Sequence, residues 1–240
     1  IIASSPQDST QLPTNSVTTD KIQDAELTPQ SGMRPTTPSI HSSGKKSRAL
    51  IEKARYQVAN SIKADPEQII FTSGGTEANN QVLWSFLEKN SAHVISNQIE
   101  HSAVNKVLHH LSSFGIECTF ADLNCDGTIS VDSIQKNIKG NTSLICLMMA
   151  NNEIGTIQPL AVLAEKAHRV GAIVHSDIVQ AAGKIPINCI DLGIDIAVLS
   201  SHKCYAPTGC GVLLVRDSNL LKPMLFGGSQ QQKLRAGTVN

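Results

Sequence analysis

The chain has 240 residues, of which 40% are hydrophobic and 17% charged, and its 20 basic and 20 acidic residues give no net charge. This balance argues against a nucleic-acid interface, which needs a basic cluster, and no apolar run reaches the ~18–20 residues of a transmembrane helix. The six cysteines lack the paired spacing of a metal site. We therefore expect no metal site, no membrane contact and a reduced, cytoplasmic protein.

The first segment of the chain differs in composition from the rest. Residues 1–35 are rich in Ser, Thr, Gln, Pro and Asp, with few bulky apolar residues and no periodicity. Such a segment cannot bury enough apolar surface to offset the entropy lost on ordering. We therefore predict a disordered or atypical N-terminal segment over residues 1–35 and one folded domain over residues 36–240.

Predicted helices and strands alternate through this domain. The pattern predicts helices near residues 44–63, 76–89, 101–114, 131–138 and 160–170. It predicts strands near residues 68–72, 93–97, 117–121, 143–149, 172–176, 196–200 and 211–215. Alternation at this spacing favours an α/β fold with a mostly parallel sheet covered by helices on both faces.

A glycine-rich turn follows the first predicted strand. Ser73, Gly74, Gly75 and Thr76 open a helix there. Glycines let backbone N–H groups approach an anion, and a helix N-terminus adds a partial positive charge. A plain helix cap is the alternative for such a turn. The Gly-Lys-Ser/Thr of a nucleotide P-loop does not follow.

Four chemically useful side chains stand at the ends of two later strands. Asp177 follows one apolar run, and Ser200, His202 and Lys203 follow the next. Sites in α/β sheets are built at such strand ends. A lysine amine can form a Schiff base with pyridoxal phosphate (PLP), a carboxylate can hold its pyridine nitrogen protonated, and hydroxyl and imidazole groups can bind its phosphate. For Lys203 alone, a solvated surface lysine is the ordinary alternative.

The combined motifs of residues 36–240 resemble the cysteine desulfurase and selenocysteine lyase group of the class V PLP-dependent aminotransferase superfamily. They are Ser-Gly-Gly-Thr-Glu (73–77), Glu-His (100–101), Asn-Asn-Glu-Ile-Gly (151–155), Asp-x-x-Gln (177–180), Ser-x-His-Lys (200–203) and Arg-x-Gly-Thr (235–238). The resemblance implies the large domain of PLP-dependent fold type I, with a mixed sheet. The small C-terminal domain of that family would begin after Asn240, so we expect the large domain to be incomplete and the small domain absent.

The resemblance also implies roles for individual residues. Lys203 would carry PLP and remove the substrate Cα proton, and Asp177 would pair with the pyridine nitrogen. Gln180 would hydrogen-bond the phenolic oxygen, whereas His101 would stack on the ring and shuttle protons. The structural alternatives are a helix cap for Asp177 and for His101, and an exposed helix side chain for Gln180.

The remaining implied contacts concern the phosphate and the substrate. Asn152 would contact cofactor or substrate, and Thr238 would reach the phosphate of a partner subunit, which implies a homodimer. The implied phosphate ligands of the same chain are Gly75, Thr76, Ser200 and His202. Ser201 stands where the family usually has glycine.

The implied reaction cleaves the C–S or C–Se bond of L-cysteine or L-selenocysteine, releasing L-alanine and passing the chalcogen to an acceptor, in the cytoplasm or in mitochondria. Residues 223–228 resemble the selenocysteine lyase branch. The alternatives are another class V aminotransferase or lyase that uses Lys203, and a truncated homologue without turnover. The sulfur-accepting cysteine of the family belongs to its C-terminal region, so we interpret Cys204 and Cys210 as packing residues.

Overall fold

A computed structural model of the chain describes residues 42–87 and 92–239. The predicted N-terminal segment, residues 1–35, lies outside the described residues, so that prediction and the proposed domain boundary stay predictions.

The described residues form five helices and seven strands, all of which the sequence predicts. The helices are α1 (Ser42–Ser61), α2 (Gly75–Trp84), α3 (Ser102–Ser112), α4 (Val131–Asn137) and α5 (Leu160–Arg169). The strands are β1 (Ile69–Thr72), β2 (His93–Asn97), β3 (Glu117–Ala121), β4 (Thr142–Cys146), β5 (Ile173–Asp177), β6 (Ile196–Ser200) and β7 (Gly211–Val215). Short 3-10 turns occur at Pro66–Gln68, Ser201–Cys204, Ser218–Leu220 and Gln231–Lys233.

The strands form one mixed sheet in the order β1-β7-β6-β5-β4-β2-β3. Neighbours from β6 through β3 are parallel, whereas β7 pairs antiparallel with both β6 and β1. The prediction of a mostly parallel sheet is therefore confirmed.

Apolar side chains cover both faces of this sheet. Alternate residues of a strand point to opposite faces. Leu144 and Cys146 accordingly pack on the side of α2 and α3, whereas Ile145 and Leu147 pack on the side of α1, α4 and α5. The predicted helical layers on both faces are confirmed. Among residues 42–87 and 92–239, none of the helices combines the length and the apolar character that crossing a bilayer requires.

Three strand ends meet at one edge of the sheet. Gly211, the first residue of β7, pairs with Thr72 at the end of β1 and with Ser200 at the end of β6. A Cβ atom on Gly211 would lie 2.5 Å from the backbone of Gly74, so only glycine allows this close approach. The glycine-rich turn after β1 is thereby placed beside Ser200, and the end of β5 with Asp177 is one strand away.

Candidate active site

A cleft of about 310 Å³ opens at this edge of the sheet. Nine of the ten predicted site residues line it, namely Gly75, Thr76, His101, Asn152, Asp177, Gln180, Ser200, His202 and Lys203. Three further residues line the cleft that the sequence motifs do not predict, namely Asn79, Met148 and Val179. Cofactor sites of proteins commonly have volumes from about 300 Å³ upward.

Asp177 lies at the floor of the cleft, where its side chain is fixed from two sides. Its Oδ2 accepts a hydrogen bond from Asn79 Nδ2 at 2.8 Å, and its Oδ1 accepts one from the backbone N–H of Val179 at 3.0 Å. Burial raises the pKa of Asp177, and the hydrogen bonds from Asn79 and Val179 oppose that rise. The carboxylate thus has a fixed orientation and would gain from a positive charge placed against it.

Asn79 holds Asp177 from the helix that follows the glycine-rich turn. Its side chain is fully buried, and its Oδ1 atom has no hydrogen-bond partner within the described part of the chain. Asn79 stands three residues after Thr76 on α2, and residues with this spacing share a helix face. That spacing was the sequence signal that could have predicted Asn79 as a lining residue.

His101 both caps a helix and lines the cleft. It is the N-cap residue of α3, and its Nδ1 accepts a hydrogen bond from the backbone N–H of Ala103 at 3.1 Å. Because Nδ1 acts as an acceptor, the proton of the neutral ring belongs to Nε2. The capping alternative and the site prediction therefore describe the same residue.

Glu100 lies behind the cleft floor as a buried carboxyl group. Its Oε1 accepts hydrogen bonds from Met148 N at 2.5 Å and Asn97 Nδ2 at 2.7 Å. Its Oε2 is buried and has no partner among the residues described. Burial raises the pKa of Glu100 to about 7, and the nearby charge of Asp177 adds to that rise.

The end of β6 carries three of the predicted residues. Ser200 Oγ and His202 Nδ1 lie 2.9 Å apart, and Lys203 is exposed in the turn Ser201–Cys204. Ser201, which replaces the glycine of the family, has its Oγ 2.5 Å from the carbonyl oxygen of Pro207 and 2.8 Å from that of Cys210. The serine hydroxyl therefore stabilises the loop that follows Lys203.

Two amide side chains face the cleft with different support. Lys184 Nζ donates to Gln180 Oε1 at 2.9 Å, so the NH₂ group of Gln180 stays available as a donor to a ligand. Asn152 is exposed. Its neighbour Asn151 is buried and accepts from the backbone N–H groups of Glu153 and Ile154, which shapes the turn that presents Asn152.

Thr238 is the one predicted site residue that is absent from the lining of this cleft. It is exposed, and its carbonyl oxygen accepts a hydrogen bond from Arg235 Nη1 at 3.4 Å. A contact between Thr238 and the phosphate bound by a partner subunit stays a prediction.

The cysteines near Lys203 are partly buried. The Sγ atom of Cys204 lies 3.3 Å from the carbonyl oxygen of Ala182, and burial raises the pKa of the Cys210 thiol. Both cysteines pack against the core on the α1 side of the sheet, as the sequence predicts. Within the described ranges, no group of three or more His, Cys, Asp or Glu side chains could hold a metal ion.

The family model "Aminotransferase class-V" matches residues 14–240. The chain belongs to this family. It is 40% identical over 205 residues to the cysteine desulfurase IscS of Dictyoglomus turgidum, which covers 84% of this chain and 52% of that protein. It is 40% identical over 206 residues to the mitochondrial cysteine desulfurase of Eremothecium gossypii, which covers 84% of this chain and 42% of that protein.

Solved structures agree with the family assignment. The fold matches that of a NifS-like protein with a TM-score of 0.83 and 32% sequence identity, over 92% of this chain and 62% of the other. The chain spans about half the length of the curated relatives it matches.

Class V aminotransferases are PLP-dependent, and the residues of the cleft fit that cofactor. The cleft combines an exposed lysine, a buried carboxylate and a buried amide oxygen on Asn79 that no described residue bonds. Hydroxyl, imidazole and first-turn backbone N–H donors stand at its other end, at Ser200, His202 and the start of α2. This set supplies donors for a phosphate and a counter-charge for a pyridine nitrogen.

Proposed function

We propose that the chain carries the active site of a PLP-dependent cysteine desulfurase. This enzyme would cleave the C–S bond of L-cysteine, release L-alanine and pass the sulfur to an acceptor protein. The observation that carries the proposal is the shared cleft of Lys203 and the buried, doubly hydrogen-bonded Asp177. The names of the relatives, which are cysteine desulfurases, support the choice of substrate.

The residues divide the work between the two ends of the cleft. PLP, when bound, supplies an electron sink that stabilises negative charge at the substrate Cα. Asp177 would hold the pyridine nitrogen protonated through its fixed carboxylate, and Lys203 Nζ would bind the cofactor and serve as the base for the Cα proton. At the phosphate end, the backbone N–H groups of Gly75 and Thr76 act together with the Ser200–His202 pair.

Three other residues orient the reacting groups. The NH₂ of Gln180 would donate to the phenolic oxygen, because Lys184 bonds its Oε1. His101 would cover the ring and exchange protons through Nε2, since its Nδ1 accepts from the Ala103 amide. Asn152 contacts the substrate from the exposed rim of the cleft.

The finer parts of the proposal are the substrate, the assembly and the location. We favour cysteine over selenocysteine because residues 223–228, the segment that resembles selenocysteine lyases, are not part of the cleft lining, and Leu225 and Phe226 are exposed. Thr238 would complete the phosphate site of a second copy, which gives a homodimer. The relatives support a cytoplasmic or mitochondrial location, since one is bacterial and the other mitochondrial.

Borohydride reduction of the protein mixed with PLP tests the assignment of Lys203. Peptide mass spectrometry should locate the reduced cofactor on Lys203, and Lys203→Ala should abolish it. Lys166→Ala is the matched control, because Lys166 lies on α5, donates to Gln135 and is not part of the cleft lining. A cofactor attached equally well in Lys203→Ala would refute the role.

Product analysis separates the proposed reaction from its alternatives. Incubation with L-cysteine and an added thiol as the sulfur acceptor should release alanine and the persulfide of that thiol, because an S–S bond to the acceptor replaces the C–S bond that breaks. Formation of 3-mercaptopyruvate would indicate an aminotransferase instead, and formation of pyruvate with sulfide would indicate another lyase. PLP attachment without any product would indicate a homologue without turnover.

A further inference from the structure

A nearly buried ion pair lies directly behind the glycine-rich turn. Arg235 donates from Nε to Glu77 Oε1 at 2.8 Å and from Nη2 to Glu77 Oε2 at 3.2 Å. The two side chains are only 13% and 12% exposed. Such two-point arginine–carboxylate contacts are among the strong and geometrically specific hydrogen bonds of proteins. Neither residue belongs to the lining of the cleft, although Glu77 follows the lining residue Thr76.

The same carboxylate fixes the shape of the turn. Glu77 Oε2 also accepts from the backbone N–H of Ser73 at 3.0 Å and from Ser73 Oγ at 2.5 Å. The N-cap residue of α2 is Gly74, which has no side chain to bind the first amides of the helix. Glu77 therefore closes the turn from behind and leaves the N–H groups of Gly75 and Thr76 for a ligand.

Arg235 is itself held in a firmly anchored segment. Its neighbour Leu234 accepts a hydrogen bond from Gln81 of α2 at 2.7 Å. Gln231, four residues earlier, accepts from buried Arg55 at 3.2 Å and from the backbone N–H of Phe71 at 3.1 Å. The arginine thus approaches the turn from a backbone that is tied to both β1 and α2.

The ion pair also controls the charge beside the glycine-rich turn. Burial raises the pKa of Glu77, but the hydrogen bonds from Arg235 and Ser73 outweigh it and lower the pKa, so the group is ionised near neutral pH. A carboxylate one residue from Thr76 would repel an anion bound to the first turn of α2. Arg235 cancels that charge.

We propose that Glu77 and Arg235 are positioning residues that set the affinity of the turn for the phosphate of the cofactor. The pair holds the N–H groups of Gly75 and Thr76 in place and neutralises the carboxylate beside them. This inference rests on the proposed PLP site for its ligand, but the ion pair acts on any phosphate group at the turn.

Binding of PLP, pyridoxal and inorganic phosphate to matched variants tests the proposal. Pyridoxal lacks the phosphate but keeps the ring and the aldehyde, so it reports on every part of the site except the turn. Arg235→Met should weaken the binding of PLP about tenfold or more and leave the affinity for pyridoxal unchanged. The reason is that removing the arginine leaves the nearly buried charge of Glu77 without its partner. The affinity for inorganic phosphate should fall in parallel with the affinity for PLP.

Two further variants separate the charge from the geometry. The double variant Glu77→Gln with Arg235→Met should regain part of the lost PLP affinity, since the unpaired charge is gone. Arg235→Lys keeps the charge but loses the two-point contact, so it should show a smaller, still phosphate-specific loss. Arg169→Met is the control, because its exposed bridge to Glu165 lies on α5 and neither residue lines the cleft.

Three results would contradict the positioning role or the proposed function. Equal losses of PLP and pyridoxal, or no loss of either, would overturn the positioning role. If Arg235→Met fails to fold, an unchanged ratio of PLP to pyridoxal affinity in Arg235→Lys would overturn it. If the unmodified protein binds neither PLP nor pyridoxal, the proposed function fails, and the inorganic phosphate series alone decides whether the ion pair controls the turn.

Discussion

The floor and the rim of the cleft use similar side chains under opposite physical conditions. Asn79 and Asp177 at the floor are 1% and 4% exposed and Glu100 behind them is 6% exposed, whereas the rim residues Asn152 and Lys203 are exposed. These buried side chains are tied by hydrogen bonds within the protein, and Asn79 and Glu100 each keep an oxygen atom that has no partner among the described residues. The floor is therefore organised before a ligand arrives.

This difference indicates where the electrostatic selectivity of the site resides. Fixed groups in a buried setting act strongly on a charge because they need no reorganisation when it appears. Exposed side chains such as Lys203 must lose rotamer freedom on binding, and water screens their charges. Apart from Lys203, whose amine would bind the cofactor and take the Cα proton, changes at the rim should therefore have smaller effects on the chemistry than changes of similar size at the floor.

Asp177→Asn should give the largest effect because it removes the fixed charge and keeps the shape. We expect exchange of the Cα proton of L-cysteine to fall about 100-fold or more. Folding should change less, since asparagine keeps the shape of the side chain and can keep one of its two hydrogen bonds. Proton exchange in D₂O followed by NMR measures the effect, with Asn152→Ala as the rim variant. Unchanged exchange in Asp177→Asn would contradict the role of the floor carboxylate.

Glu100→Gln tests how the buried carboxyl group behind the cleft floor affects the pH dependence of the unfolding free energy. The pKa of Glu100 is raised from 4.5 to about 7, so the folded protein binds its proton more tightly than the unfolded chain does. Stability from this group is complete below about pH 4.5 and is lost as the pH rises through about 7, by about 3 kcal/mol in all. Urea unfolding between pH 5 and pH 8 should show this slope in the native protein.

The comparison with Glu100→Gln isolates that slope from other groups. Burial also raises the pKa of Asp177 and lowers the pKa of His175 to about 4, so both contribute their own pH dependence. The Gln variant keeps those contributions and loses the one from residue 100. Identical pH profiles for the two proteins would mean that Glu100 is ionised throughout.

Gly211→Ala tests the backbone contact that places the phosphate end of the cleft against the floor. The added Cβ would lie 2.5 Å from the backbone of Gly74 and 2.6 Å from Thr72 Oγ1, so the turn must move. We expect a loss of about 1–3 kcal/mol in unfolding free energy, together with weaker PLP binding. Gly140→Ala is the matched control, because nothing lies within 4 Å of its Cβ position. Equal stability of both variants would show that the turn has room to shift.

The sequence predicted where the strands end but not the side-chain contacts that join those ends to residues distant in the chain. Apolar runs of four residues indicated β5 and β6, and the carboxyl ends of parallel strands meet at one edge, which predicted that Asp177 and Lys203 lie near each other; both line the cleft. The contact of Asn79 with Asp177 joins residues 98 positions apart, and that of Arg235 with Glu77 joins residues 158 positions apart. Such contacts depend on how α2 crosses the sheet, which no local pattern contains.

The sequence also did not show which glycine position at this turn requires a glycine. The sequence favoured Gly74 and Gly75 as the positions that need glycine, but a Cβ on Gly74 would meet nothing within 4 Å. The position that requires glycine is Gly211, which approaches Gly74 from a strand more than 130 residues later in the chain. A close approach between two backbone segments that are distant in the chain cannot be predicted from the sequence of either segment alone.

Gly75 gives the smallest effect and separates backbone from side-chain contributions at the phosphate end. A Cβ on Gly75 would lie 3.4 Å from Val179 Cγ2 and 3.6 Å from Ser200 Cβ, which are ordinary contact distances. Gly75→Ala should therefore change stability by less than about 0.5 kcal/mol and leave PLP affinity unchanged. Its backbone N–H remains in place.

Gly75→Pro removes that N–H at a position where the helix accepts proline. Gly75 is the first residue of α2, a favoured site for proline, and Gly74 before it has the extended backbone (φ 161°, ψ 175°) that a following proline requires. Loss of one N–H donor to a charged phosphate should weaken PLP about tenfold and leave pyridoxal unchanged. Titration of both ligands against both variants measures this. If Gly75→Ala weakens PLP as much as Gly75→Pro does, Gly75 acts through tight packing, and the amide is not the group that binds the phosphate.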